Sequence, residues 1–317
     1  MTNSLPAFVT YPGDPTGPAP IELLCVSLWS FPLAADLDSL QALCDKCIAT
    51  PSGGAVRFHP LLPTVLMNLT DFPDAFFPAV AAHGRGKERE LSFGIPGLYI
   101  CREGILPEIG FAMFMPFLFL DSPVAVATGR EEFGFFKLQG ALKLPTDPGS
   151  TGFTVDVYGC KTFEPGVFWE ECRLLTLTDT GEPAMADIGL PWTTVADAGA
   201  RLATALLRAA DDRIAALAAA EPFAGLVLGH LSQIFLKQFR DIADGTRACY
   251  QAITLARYAI TRLHSVALVN RYQMALQALD SSPVAAALGI GNPGETAIGV
   301  KVVMDMRLDP GRELWRA

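Results

Sequence analysis

The chain has 317 residues, half of them apolar, and a mean hydropathy of +0.32, so it is long enough to bury a sizeable core. A net charge of -9 disfavours nucleic acid as a partner, because that binding is dominated by cationic contacts to phosphate. Seven cysteines, an odd number in a long chain, argue against a disulfide framework and for a reducing, cytoplasmic setting.

The first twenty residues hold no basic segment followed by an apolar one, so no signal peptide is expected. The longest strongly apolar run, 111–120, is about half a membrane span, and no membrane partner is expected. Residues 12–20 repeat Pro and Gly and read as an extended arm, and 21–31 suits a strand. Asp36 is a helix N-cap, with Leu37, Leu40, Cys44 and Cys47 recurring at helical spacing as far as about Ile48. Cys44 and Cys47 invite a zinc reading, but a structural site commonly needs a second such pair and none is present. Packing as small hydrophobes on the helix's apolar stripe is the better reading.

Residues 63–69 read as a strand, 71–74 as a turn, and 84–90 as a charged loop that delivers Glu90 to a strand over 91–95. The apolar run 111–120 stops at Asp121-Ser122-Pro123, and a shorter one follows at 124–127. Further strands are expected at 151–159 and around 172–177. The Ala-rich stretch 195–221 reads as a helix inserted into the domain. A strand at 234–239 and a turn at 241–246 lead to 249–263, whose residues suit either a strand or a helix. A Gly- and Pro-containing loop, 281–299, precedes a final alternating strand, 300–308. His59, His83 and His230 show no metal-ligand spacing, and His264 beside an apolar run reads as structural. The chain lacks a phosphate-binding loop with its lysine, a GxSxG elbow and an HExxH pair, which disfavours nucleotide chemistry and serine hydrolysis.

The segment with most chemical content is 129–138, where Phe133, Phe135, Phe136 and Leu138 surround Lys137. Buried there, the amine would lose its solvation, its neutral form would gain, and it could attack a carbonyl to form a Schiff base. The competing reading is a surface lysine whose stem lies on apolar neighbours while its charge stays in water. Glu90 has two readings as well, a solvated charge paired with Arg89 or Lys87, or a buried proton shuttle.

The run from Gly129-Arg130-Glu131 to Lys137, with Gly140 and Lys143-Leu144 after it and Phe117-Leu118-Phe119-Leu120-Asp121 before it, resembles the signature of the acetoacetate decarboxylase superfamily. The resemblance implies an α+β, mainly antiparallel β fold: curled sheets in barrel-like form with peripheral helices, one domain over 1–317. It also favours the strand reading of 249–263. Lys137 falls on the family's Schiff-base lysine, and Glu90 on a family glutamate five residues before an Ile-Pro, here Ile95-Pro96. The implied pocket adds Asn68, Phe117, Phe119, Arg130, Glu131, Phe133, Phe135, Phe136 and Leu138.

Several positions depart from the family pattern. Leu138 stands where acetoacetate decarboxylase has a second lysine, Phe136 replaces a proline, and Asn68 replaces a second glutamate. An early arginine that helps to hold the substrate carboxylate has no match between Pro20 and Ser30. The resemblance therefore implies a diverged lyase acting on a keto acid or related small carbonyl compound, by decarboxylation, aldol or dehydration chemistry. It implies no cofactor and no metal, and a homo-oligomer. The alternative is a non-catalytic small-molecule-binding protein on the same fold.

Overall fold

The computed structural model describes residues 5–102, 106–181, 230–291 and 294–317. The expected helix at 195–221 lies outside these residues. Among the described residues twelve strands follow in order: β1 (Ile21–Ala34), β2 (Val56–Pro60), β3 (Thr64–Phe76), β4 (Gly86–Cys101), β5 (Glu108–Leu120), β6 (Lys137–Lys143), β7 (Gly152–Gly159), β8 (Glu170–Asp179), β9 (His230–Arg240), β10 (Ala248–Val269), β11 (Tyr272–Leu276) and β12 (Gly299–Arg316). Among the described residues, three short α-helices lie outside the sheet: α1 (Leu37–Cys44), α2 (Pro123–Thr128) and α3 (Val284–Leu288).

Strands β5, β9, β10, β12, β1, β3 and β4 are successive neighbours, and β4 pairs back with β5, so these seven close into a barrel. Closure leaves no open edge on the ring. Strands β6, β7, β8 and β11 branch from β5, and β2 adds to β4. Most pairs are antiparallel, while β5 runs parallel to both β6 and β9.

The branch packs against the outer wall of β1, β3, β4 and β5, and the largest apolar core lies there, around Phe31, Phe93, Phe119 and Phe153. Cys44 is buried in it beside Leu40 and Ile48, with Cys47 packed against the same cluster. Asp36 caps α1 by accepting from the Ser39 amide at 2.8 Å.

The expected turn at 71–74 is strand instead. Asp71 and Asp74 remain paired with Ser27 and Leu24 of β1, and Pro73 falls where the β3–β4 register shifts, a bulge that tolerates its missing N–H. Residues 249–263 form part of β10, between β9 and β12. The predicted loop 281–299 contains α3, and β11 was not expected.

Candidate active site

The barrel interior holds two neighbouring chambers. The outer one, about 200 Å³, is lined by Glu88, Glu90, Thr128, Phe133, Phe135 and Lys137, among others. The inner one, about 60 Å³, lies beyond Phe72, Glu90 and Tyr258, which line both.

Local structure fixes how Lys137 enters. Ser122 caps α2 by accepting from the Ala125 amide at 3.2 Å, with Pro123 in the first turn. The helix runs on into a wider turn that stops at Gly134, where φ is +82°. A Cβ on Gly134 would lie 2.4 Å from Cβ of Lys237, so both conformation and space require glycine. Arg130 Nη1 then donates to the Lys137 carbonyl at 3.1 Å, fixing the start of β6. Side chains alternate from there. Phe135 and Lys137 point inward, Phe136 is 52 % exposed, and Leu138 packs against the outer core.

Lys137 is only 6 % exposed, so the surface reading does not apply. Its Nζ lies 3.8 Å from Glu90 Oε2, an ion-pair distance longer than a good hydrogen bond, and 5.2 Å from the centre of the Phe135 ring. Phe135 stacks on Phe133 at 5.0 Å and meets Phe235 at 4.3 Å, giving the amine an aromatic wall. Burial pushes the Glu90 carboxyl above its usual range, with the Lys137 charge opposing it. Glu88 is raised for the same reason, with Lys137 again opposing and Glu90 adding to the rise. Burial also pushes the Tyr258 phenol well up, helped by the charges of Glu90 and Glu88.

The expected pocket residues separate into three groups. Lys137, Glu90, Phe133 and Phe135 meet around the outer chamber, and Asn68 lines the inner one. Phe117, Phe119 and Leu138 face the outer core instead. Along β5 the inward positions shift from Met113 and Met115 to Leu118 and Leu120, across Pro116 and a register shift against β4, which turns both phenylalanines outward. Arg130, Glu131 and Phe136 are exposed, and the Arg130 guanidinium lies over the Phe136 ring at 5.2 Å.

Glu88, Thr128, Tyr258, Ser30 and Gln233 were not anticipated. Glu88 had a signal, since it sits two residues before Glu90 and so shares its face once 86–101 is a strand. Ser30, Asn68 and Ser92 are register neighbours across β1, β3 and β4, one level inward of Leu28, Thr70 and Glu90.

On the barrel's outer wall, Cys25, His264 and Asp305 bring donor atoms within 4.8 Å of one another, among the described residues a group that could hold a metal ion. His264 Nε2 lies 2.8 Å from Asp305 Oδ1.

No family model matches the chain, and the comparison with curated proteins found no match. Solved structures are similar over its whole length. Acetoacetate decarboxylase from Legionella pneumophila superposes with a TM-score of 0.60 at 16 % identity, covering 99 % of this chain and 94 % of that one. The enduracididine biosynthesis enzyme MppR, complexed with the condensation product of pyruvate and imidazole 4-carboxaldehyde, gives 0.56 at 12 % identity, covering 99 % and 98 %. An acetoacetate decarboxylase-like enzyme from Sphingomonas wittichii gives 0.52 at 12 % identity, covering 98 % of each chain. This chain, with its closed barrel and branching strands, has the acetoacetate decarboxylase-like fold.

Proposed function

We propose that the protein is a Schiff-base-forming lyase acting on a small keto acid or related carbonyl compound through Lys137. The observation that carries this reading is a buried amine facing a cavity, beside two carboxyls that burial inclines to hold protons. Lys137 Nζ, as the free amine, attacks the carbonyl carbon, and the carbonyl oxygen leaves as water after protonation by Glu90 or Glu88. The resulting iminium accepts the electron pair of a bond adjacent to it. If that bond is to a carboxylate, carbon dioxide leaves. If it is to hydrogen, a carboxylate takes the proton, and the enamine can add to an aldehyde and then lose water. Protonation of the enamine carbon and hydrolysis return the amine.

The neighbours support both branches: one is a decarboxylase, and MppR was solved with a condensation product of pyruvate. Tyr158, Phe163 and Trp169 form an exposed aromatic patch that suits packing against a second copy of the chain, in keeping with a homo-oligomer.

The test is borohydride reduction in the presence of pyruvate or acetoacetate, followed by peptide mass mapping. The expected result is the substrate's mass on Lys137, absent from Lys137→Ala. No adduct over a broad carbonyl panel, with ligand binding intact in Lys137→Ala, would leave a non-covalent binding protein.

A further inference from the structure

The inner chamber differs chemically from the outer one. Met113, Met115, Met304 and Met306 give it soft, adaptable walls. Ser30, 4 % exposed, and Gln233, 8 % exposed, add polar atoms: Ser30 Oγ and Gln233 Oε1 are buried without a hydrogen-bond partner. An unsatisfied buried polar atom costs about 1–3 kcal/mol, so two in one chamber are a feature to be explained. Lysine, arginine and histidine are absent from the lining among the described residues, so an anionic group entering it would find no counter-ion. Such groups sit at the opposite end, where His83, Arg85 and Lys87 line the outer chamber. The cavity is therefore polarised, with Lys87 and Arg85, the latter paired with Asp74, at one end, Lys137 with Glu88 and Glu90 between, and an end without cations that offers hydrogen bonds within.

We propose that the inner chamber is a tail subsite. It takes an uncharged chain attached to the far side of the carbonyl that meets Lys137, ending in a group that both donates and accepts hydrogen bonds, such as a hydroxyl. The carboxylate of the same molecule points back toward Arg85 and Lys87. A cavity needs about 10–15 Å³ to hold one water, so the 60 Å³ chamber accepts roughly four non-hydrogen atoms. A terminal hydroxyl satisfies Ser30 Oγ and the Gln233 amide together, and the thioethers pack on the methylenes before it. The ligand class is thus an α-keto acid with a short hydroxylated tail, longer than pyruvate. This placement rests on Lys137 being the carbonyl-binding group.

Four α-keto acids separate the contributions: pyruvate, α-ketohexanoate, δ-hydroxy-α-ketovalerate and α-ketoglutarate. Their affinities for the wild-type protein are measured by calorimetry, and their adducts by borohydride trapping. The hydroxylated compound should bind at least about tenfold more tightly than pyruvate, the worth of roughly two buried methylenes, and more tightly than α-ketohexanoate. The charged tail of α-ketoglutarate should bind worst of the three longer acids. Gln233→Leu and Ser30→Ala should abolish the preference for hydroxyl over methyl while keeping the preference for length. Equal affinity for all four, the result for a chamber that holds only water, overturns the proposal, as does tight binding of α-ketoglutarate. The two readings fail differently. Tail-dependent affinity without any adduct on Lys137 removes the covalent chemistry alone, whereas adducts formed equally with pyruvate and the longer acids remove the tail subsite alone.

Discussion

Gly129 lies against the stem of Lys137: a Cβ added to it would sit 2.6 Å from Lys137 Cδ and 2.9 Å from Cε. The glycine's own backbone is ordinary αR, with φ of -62°, so what it supplies is space. A methyl group here must push the lysine stem off its path into the cavity. Gly129→Ala should reduce the rate of borohydride-trapped adduct formation by about tenfold or more, with a stability loss of about 1–3 kcal/mol typical of overpacking. Trapping kinetics beside urea unfolding check it, and an unchanged trapping rate would show that the stem has room to spare.

Glu90→Gln keeps the shape beside Lys137 but removes the carboxyl. Adduct formation should survive, because the amine remains and Glu88 can still protonate the departing carbonyl oxygen. Turnover should fall by about a hundredfold or more, the usual worth of a positioned acid–base group. Single-turnover and steady-state rates on the same substrate separate the two steps. Loss of trapping and turnover in equal measure would place Glu90 in the first step instead.

The raised carboxyls of Glu88 and Glu90 give stability a definite pH dependence. Each binds its proton more tightly in the folded state than in the unfolded chain, where the ordinary value is 4.5. Their contribution is therefore fully present below 4.5 and is lost as pH rises through the folded values. The Glu88→Gln/Glu90→Gln protein should lose less stability than wild type between about pH 4.5 and pH 8, as urea midpoints across that range would register. A steeper fall in the double variant contradicts the direction assigned to both groups.

Phe135 and Phe136 are adjacent and have opposite fates. Phe135 is buried between Phe133 and Phe235, while Phe136 lies at the surface under Arg130. Phe135→Ala should cost about 3–5 kcal/mol and impair adduct formation at Lys137. Phe136→Ala should cost about 1 kcal/mol or less, the scale of a surface cation–π contact, and leave trapping intact. Comparable losses from both would mean that β6 starts one residue out of register.

The sequence by itself determined the strands of alternating or continuous apolar residues, the cap at Asp36, and the isolation of Lys137 among aromatics. These are local properties, set by side-chain period, turn residues and composition, and need no knowledge of partners. Only the tertiary structure decided which side of each strand faces the cavity. A strand's period of two separates its faces but does not say which is inside. That choice was made by barrel closure through the β4–β5 pairing and by the shift at Pro116, which sent Phe117 and Phe119 outward and left Leu118 and Leu120 within. The same closure brought Glu88 and Glu90 of β4 to Lys137 of β6, strands that share β5 as their neighbour. It also placed Ser30 and Gln233, more than two hundred residues apart in sequence, in one chamber, a proximity that no local pattern encodes.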